Sequence, residues 1–140
     1  MSSIPTEHVA PTFSAPQKCY ALTSDHGVPG LTQTAVANLM KGWNPELFLF
    51  FGDGAYDSGT VAEVSAAWAI WEDEIAAEKV YAALGNHDLE TDKGEPHKNF
   101  FTYFPGNRRY YSVRDGNIEF FILNTGIKSD GTMIEPEGLS

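Results

Sequence analysis

The sequence predicts an α/β fold in which a βαβαβ unit forms a mostly parallel sheet with an added β-hairpin. Three short apolar runs, at 19–24, 47–51 and 80–84, alternate with two segments whose apolar residues recur at helical spacing. The turn signal Asp115-Gly116, between two further apolar runs, indicates the hairpin. Alternating strands and helices with right-handed crossovers produce a parallel sheet.

The first strand and helix are predicted between residues 19 and 42. Cys19–Ser24 is a strand-like run that ends at the turn signals Gly27, Pro29 and Gly30. A helix follows over 31–41, with Gly42 as its stop signal. Its predicted apolar face consists of Ala35, Val36, Leu39 and Met40.

The clearest helical pattern lies between the second and third predicted strands in the sequence. Leu47–Phe51 is a continuous apolar run, as in a strand buried within a parallel sheet. Helical intervals of three and four then relate Val61, Val64, Trp68, Trp71 and Ile75. The two tryptophans continue the apolar face and are predicted core residues. Val80–Leu84 is the third strand.

The chain divides into three predicted regions. Residues 1–18 contain Pro5, Pro11 and Pro16 and are expected to form an extended N-terminal arm. Residues 19–126 form the domain, with a long polar loop over 90–108 and hairpin strands at Tyr110–Val113 and Ile118–Leu123. An irregular tail is expected over 127–140.

Composition narrows the class of protein. The 42% hydrophobic content of the 140 residues is that of a globular domain, and the net charge of -10 argues against nucleic acid binding. No segment has the length of a membrane span. The first 18 residues lack a basic start followed by a long apolar stretch, so no signal peptide is predicted, and the compartment stays unknown.

Polar motifs follow each of the three predicted strands. They are Ser24-Asp25-His26-Gly27, Gly52-Asp53-Gly54-Ala55-Tyr56 and Gly85-Asn86-His87-Asp88. The carboxyl ends of parallel strands share one edge of the sheet, where ligand sites collect. We therefore expect these motifs to meet.

The residue types in these motifs suit a pair of metal ions. Asp53 is the natural bridge between two cations, with Asp25 as a ligand to one and the carboxamide oxygen of Asn86 as a ligand to the other. Tyr56 can fold back as a phenolate. A phenol titrates near pH 10, so its coordination at neutral pH requires a strongly acidic metal such as Fe(III).

His87 is the candidate catalytic residue. Its imidazole can hydrogen-bond a phosphoryl oxygen or protonate a leaving alkoxide, and Asp88 is expected to orient the imidazole. Simpler interpretations exist. Asp before Gly often forms turns or caps, Tyr56 can be an ordinary half-buried aromatic residue, and His26 can lie in the cleft or at the surface. The three motifs together favour metal binding.

Taken in this order, the three motifs resemble the calcineurin-like metallophosphoesterase superfamily. The Asp-x-Gly and Gly-Asp-x-x-Tyr forms are similar to purple acid phosphatases. The resemblance extends over residues 19–126 and includes Phe120–Thr125, which is similar to the strand after the third motif. It implies that the domain is the N-terminal half of a metallophosphoesterase sandwich.

The resemblance also implies a chemistry. It predicts a dinuclear centre of Fe(III) with Fe(II), Zn(II) or Mn(II), with Asp25, Asp53 and Tyr56 at the first ion and Asp53 and Asn86 at the second. The implied reaction is phosphomonoester hydrolysis by a metal-bound hydroxide, assisted by His87. An extracellular or periplasmic location follows by analogy alone.

The sequence departs from the family pattern at two places. Gly27 stands where many relatives have a ligand histidine, and the family completes its site with histidines from a second half. The histidines of this chain are His8, His26, His87 and His97. Three interpretations stay open: a fragment of a longer phosphatase, an enzyme whose other half is a second polypeptide, or a non-catalytic structural or binding module.

Overall fold

The computed structural model describes residues 18–90 and 110–123. The predicted arm, polar loop and tail lie outside these ranges, apart from residues 18 and 90. Within the ranges, alternating strands and helices are followed by a hairpin, so the α/β prediction is confirmed. None of the helices described has the length and hydropathy of a transmembrane segment.

Three parallel strands form the central sheet in the order β1 (Tyr20–Thr23), β2 (Leu47–Phe51) and β3 (Val80–Ala83). The central strand β2 is buried from its first residue to its fourth, as its continuous apolar run predicts. Tyr20 pairs with Leu47, and Phe48 pairs with Val80. The carboxyl ends of the three strands consequently lie at one edge.

Helix α1 (Leu31–Gly42) forms where it is predicted, but Met40 is the one residue of its predicted apolar face that is buried. Val36 and Leu39 are 41% and 37% exposed, which corrects the predicted apolar face. Gln33 is buried because its Nε2 donates hydrogen bonds of 2.9 and 2.7 Å to the carbonyls of His26 and Ala67. The buried side chains of the helix are Gln33, Ala37 and Met40.

The second predicted helix consists of three consecutive segments: α2 (Val61–Trp68), a 3₁₀ turn (Ala69–Trp71) and α3 (Glu72–Ala76). In a 3₁₀ turn, residues three apart lie on the same side. Trp68 and Trp71 therefore both face the sheet, and each ring centroid lies 5.0 Å from that of Phe50. Both indoles are buried in the core, as predicted.

The predicted hairpin is confirmed as β4 (Tyr111–Asp115) and β5 (Ile118–Ile122), which form a separate antiparallel sheet. The Tyr111 hydroxyl joins this sheet to β3. It accepts from the Ala82 N–H at 2.8 Å and donates to the Ala82 carbonyl at 2.9 Å. One side chain thereby satisfies both backbone groups of a residue at the edge of β3.

Candidate metal centre

Two aspartates follow the first two strands in the same unusual backbone conformation. Asp25 and Asp53 have φ values of 54° and 52°. This left-handed region is uncommon outside glycine, although Asp tolerates it better than most residues. Each aspartate lies at the same relative position after its strand. The left-handed conformation turns the chain sharply there and leaves the carboxylate near the edge of the sheet.

Backbone hydrogen bonds tie the two loops together. The Asp25 N–H donates to the Gly52 carbonyl at 3.1 Å, and the Gly27 N–H donates to the Asp53 carbonyl at 3.2 Å. Gly27 has to be glycine, since an added Cβ would lie 2.5 Å from the backbone nitrogen of Ala55. Glycine at this position thus permits a close contact between the two loops.

Three oxygen-bearing side chains meet at this edge. The Tyr56 hydroxyl lies 2.9 Å from Oδ1 of Asp25 and 3.1 Å from Oδ2 of Asp53. Burial raises the pKa of Tyr56, and its bonds to the two carboxylates raise it further. The pKa of Asp25 is lowered by the hydroxyls of Ser24 and Tyr56.

The chemistry of these oxygens suits a hard cation. The Tyr56 hydroxyl donates to both carboxylates, at 2.9 and 3.1 Å, so the phenol oxygen and the two carboxylates lie together at this edge. Within residues 18–90 and 110–123, no group of three or more His, Cys, Asp or Glu side chains is placed to hold a metal ion.

The third motif contacts Asp53 through its backbone. The His87 N–H donates to Oδ1 of Asp53 at 3.1 Å. A Cβ on Gly85 would lie 2.1 Å from the same oxygen, so glycine is required for this approach. The exposed Asn86 side chain forms no hydrogen bond to the three oxygens in the described part of the chain. Its role as a ligand stays a prediction.

The imidazole of His87 is oriented by a residue outside the three motifs. Its Nδ1 lies 2.7 Å from the carbonyl oxygen of Asp57, and its ring centroid lies 4.5 Å from that of Tyr56. A carbonyl only accepts hydrogen bonds, so Nδ1 carries the hydrogen. This contact raises the pKa of His87. Backbone carbonyls leave no pattern in a sequence, and sequence reasoning did not find Asp57.

Asp88 has a different contact from the expected one. It is fully buried, and Oδ2 accepts the Gly85 N–H at 2.8 Å instead of bonding the His87 imidazole. Burial raises the pKa of Asp88 to about 6, although backbone N–H groups partly oppose the shift. The carboxylate therefore braces the turn after β3, while Asp57 orients the imidazole.

His26 belongs to the core. Its ring centroid lies 4.5 Å from that of Phe50 and 4.4 Å from that of Trp68. Burial lowers the pKa of His26 to about 4, so the ring is neutral at physiological pH. The neutral imidazole packs among aromatic rings and anchors the loop that contains Asp25. The alternative of a surface position for His26 is therefore excluded.

The fold is consistent with part of a metal-dependent phosphoesterase domain. A family model described as calcineurin-like phosphoesterase matches residues 21–138, and the chain belongs to this family. The family comprises hydrolases that generally use a dinuclear metal centre. No curated protein matches the chain.

Proposed function

We propose that this chain hydrolyses phosphomonoesters at a centre of the purple acid phosphatase kind. In this proposal Asp25, Asp53 and Tyr56 hold Fe(III), and Asp53 and Asn86 hold a second cation, Fe(II), Zn(II) or Mn(II). The observation that carries the proposal is the convergence of the Tyr56 hydroxyl on two strand-end carboxylates. Only a strongly acidic cation displaces a phenol proton at neutral pH, so this donor set favours iron.

Each side chain has its own task. Bound cations supply Lewis acidity at phosphoryl oxygens and lower the pKa of water. The carboxylates of Asp25 and Asp53 offset the cationic charge. The His87 Nδ1–H donates to Asp57, which leaves Nε2 to face substrate. In the protonated ring, Nε2 transfers its proton to the leaving alkoxide, which departs as an alcohol.

Further ligands complete the proposed centre. The family resemblance implies additional histidine ligands from a second half of the fold. We propose that a second polypeptide or a longer form of this chain supplies them.

The test is hydrolysis of p-nitrophenyl phosphate by the complete protein, either the longer form or this chain with its second polypeptide, loaded with iron and zinc. Asp53→Asn is expected to lower the rate by about a hundredfold or more and to reduce bound metal. The control is Asp73→Asn on α3, an exposed position outside the oxygen cluster. Full activity and full metal content in Asp53→Asn would exclude the proposal.

A second candidate function is a non-catalytic structural or binding module. The absence of a group of three His, Cys, Asp or Glu ligands within the described ranges favours it. For such a module we expect neither turnover nor stoichiometric metal in the wild-type protein. His87→Ala would then leave stability and partner binding unchanged.

A further inference from the structure

The Glu63 carboxylate organises the loop between β2 and α2. Oε1 accepts the Asp57 N–H at 2.8 Å, and Oε2 accepts the Ser58 N–H at 3.2 Å. Oε2 also accepts the N–H and the hydroxyl of Thr60, at 2.9 and 2.8 Å. One side chain thereby accepts hydrogen bonds from four donor groups on three loop residues.

These contacts favour an ionised carboxylate. All four partners donate, and an ionised carboxylate has about four acceptor positions and no donor. Burial alone would raise the pKa of Glu63, but the Thr60, Asp57 and Ser58 donors outweigh burial and hold it below its ordinary value. In Glu63→Gln, the side-chain NH₂ group would face backbone N–H donors and could not accept their hydrogen bonds.

Helix capping explains only part of this arrangement. Thr60 and Glu63 form a capping box at the start of α2. The bonds to Asp57 and Ser58 reach beyond that box into the preceding loop. Asp57 is also the residue whose carbonyl holds Nδ1 of His87 at 2.7 Å.

We propose that Glu63 is a positioning residue for His87. It fixes the N–H of Asp57, whose carbonyl in turn sets the hydrogen position and the orientation of the imidazole. The consequence for catalysis rests on the proposed function, in which Nε2 of His87 protonates the leaving group. The orientation of the His87 imidazole by Glu63 and Asp57 is expected in the metal-free protein as well.

The first test is ¹⁵N NMR of the His87 ring in metal-free protein. Wild type is expected to show an Nδ1-bound hydrogen protected from exchange, and Glu63→Gln is expected to lose that protection. Thr60→Ala is the matched control, because it disrupts the capping box but retains the Asp57 bond to Glu63. It is expected to lower the melting temperature and to keep the ring signature.

The second test is steady-state hydrolysis of p-nitrophenyl phosphate by the same complete, metal-loaded protein that the proposed function requires. Glu63→Gln is expected to lower kcat about tenfold at nearly constant KM, while Thr60→Ala stays near wild type. If Glu63→Gln fails to fold, Glu63→Asp, which keeps the charge but is one methylene shorter, is expected to give the same pattern.

The two tests separate the positioning role from the proposed function. An unchanged ring spectrum in the Glu63 variant would overturn the positioning role even if wild type hydrolyses phosphate esters. An altered spectrum in a protein without turnover would support the positioning role and count against the proposed function.

Discussion

The Tyr56 hydroxyl donates a hydrogen bond of 2.9 Å to the carboxylate of Asp25, which lies 31 residues earlier in the chain. This contact joins the loops after β1 and β2 at the proposed iron site. Tyr56→Phe is expected to abolish the visible phenolate-to-iron absorption of Fe(III)-loaded protein. The control is Tyr81→Phe, on β3. Absorption that persists in Tyr56→Phe would show that this phenol is not a ligand.

Gly85→Ala is expected to destabilise the fold. The new Cβ would lie 2.1 Å from Oδ1 and 2.3 Å from the backbone nitrogen of Asp53, so the loops have to separate. We expect a loss of about 1–3 kcal/mol in the free energy of unfolding, measured with urea. Gly42→Ala is the control, because its Cβ meets no atom within 4 Å. Equal stability of the two variants would contradict the close packing.

Trp68→Ala is expected to cost about 3–5 kcal/mol in the free energy of unfolding, as for other large-to-small changes in a packed core. The indole is fully buried against Phe50 and His26. Leu31→Ala, at a position that is 91% exposed, is expected to change stability by less than about 0.5 kcal/mol. Chemical denaturation monitored by circular dichroism compares the two. A small loss in Trp68→Ala would exclude this packing.

Tyr111→Phe is expected to loosen the hairpin from β3. The substitution leaves the N–H and carbonyl of Ala82 without their hydroxyl partner, at a cost of about 1–3 kcal/mol. Hydrogen exchange at the Ala82 amide should accelerate. Tyr110→Phe, one residue earlier, is the matched control. Unchanged protection in Tyr111→Phe would argue against this connection.

Alkaline pH is expected to destabilise the fold through the same residue. Burial raises the pKa of Tyr111 to about 12, above its ordinary value of 10.0. The unfolded chain therefore releases this proton first, so the stabilisation is complete below pH 10 and is lost as the pH rises from 10 to 12. Between pH 9 and pH 11, the urea midpoint of unfolding should fall further for wild type than for Tyr111→Phe. Equal falls would refute the assignment.

Sequence patterns were sufficient for the order of elements and the place of the motifs. The apolar run Leu47–Phe51 indicates a buried strand, and the structure has a strand with these bounds. The motif aspartates follow strands whose carboxyl ends share one edge. The order of the strands and the periodicity of their side chains can be read from the local sequence. Parallel pairing of the strands then brings the residues at their carboxyl ends close together.

Other features depended on contacts between distant residues. The apolar spacing of α1 predicted a face that includes Val36 and Leu39, which are exposed, whereas Gln33 is buried through its bonds to His26 and Ala67. His26 lies in the core because Phe50 and Trp68 enclose it. Such packing cannot be derived from the spacing of residues along the chain.

The sequence by itself determined the alternation of strands and helices, the family resemblance and the meeting of Asp25 with Asp53. Tertiary structure alone decided that Asp57 orients His87 and that Asp88 braces a turn. The physical reason is that a backbone carbonyl or N–H exists at nearly every residue. Its partner is selected only when the folded loops bring the two groups within hydrogen-bonding distance.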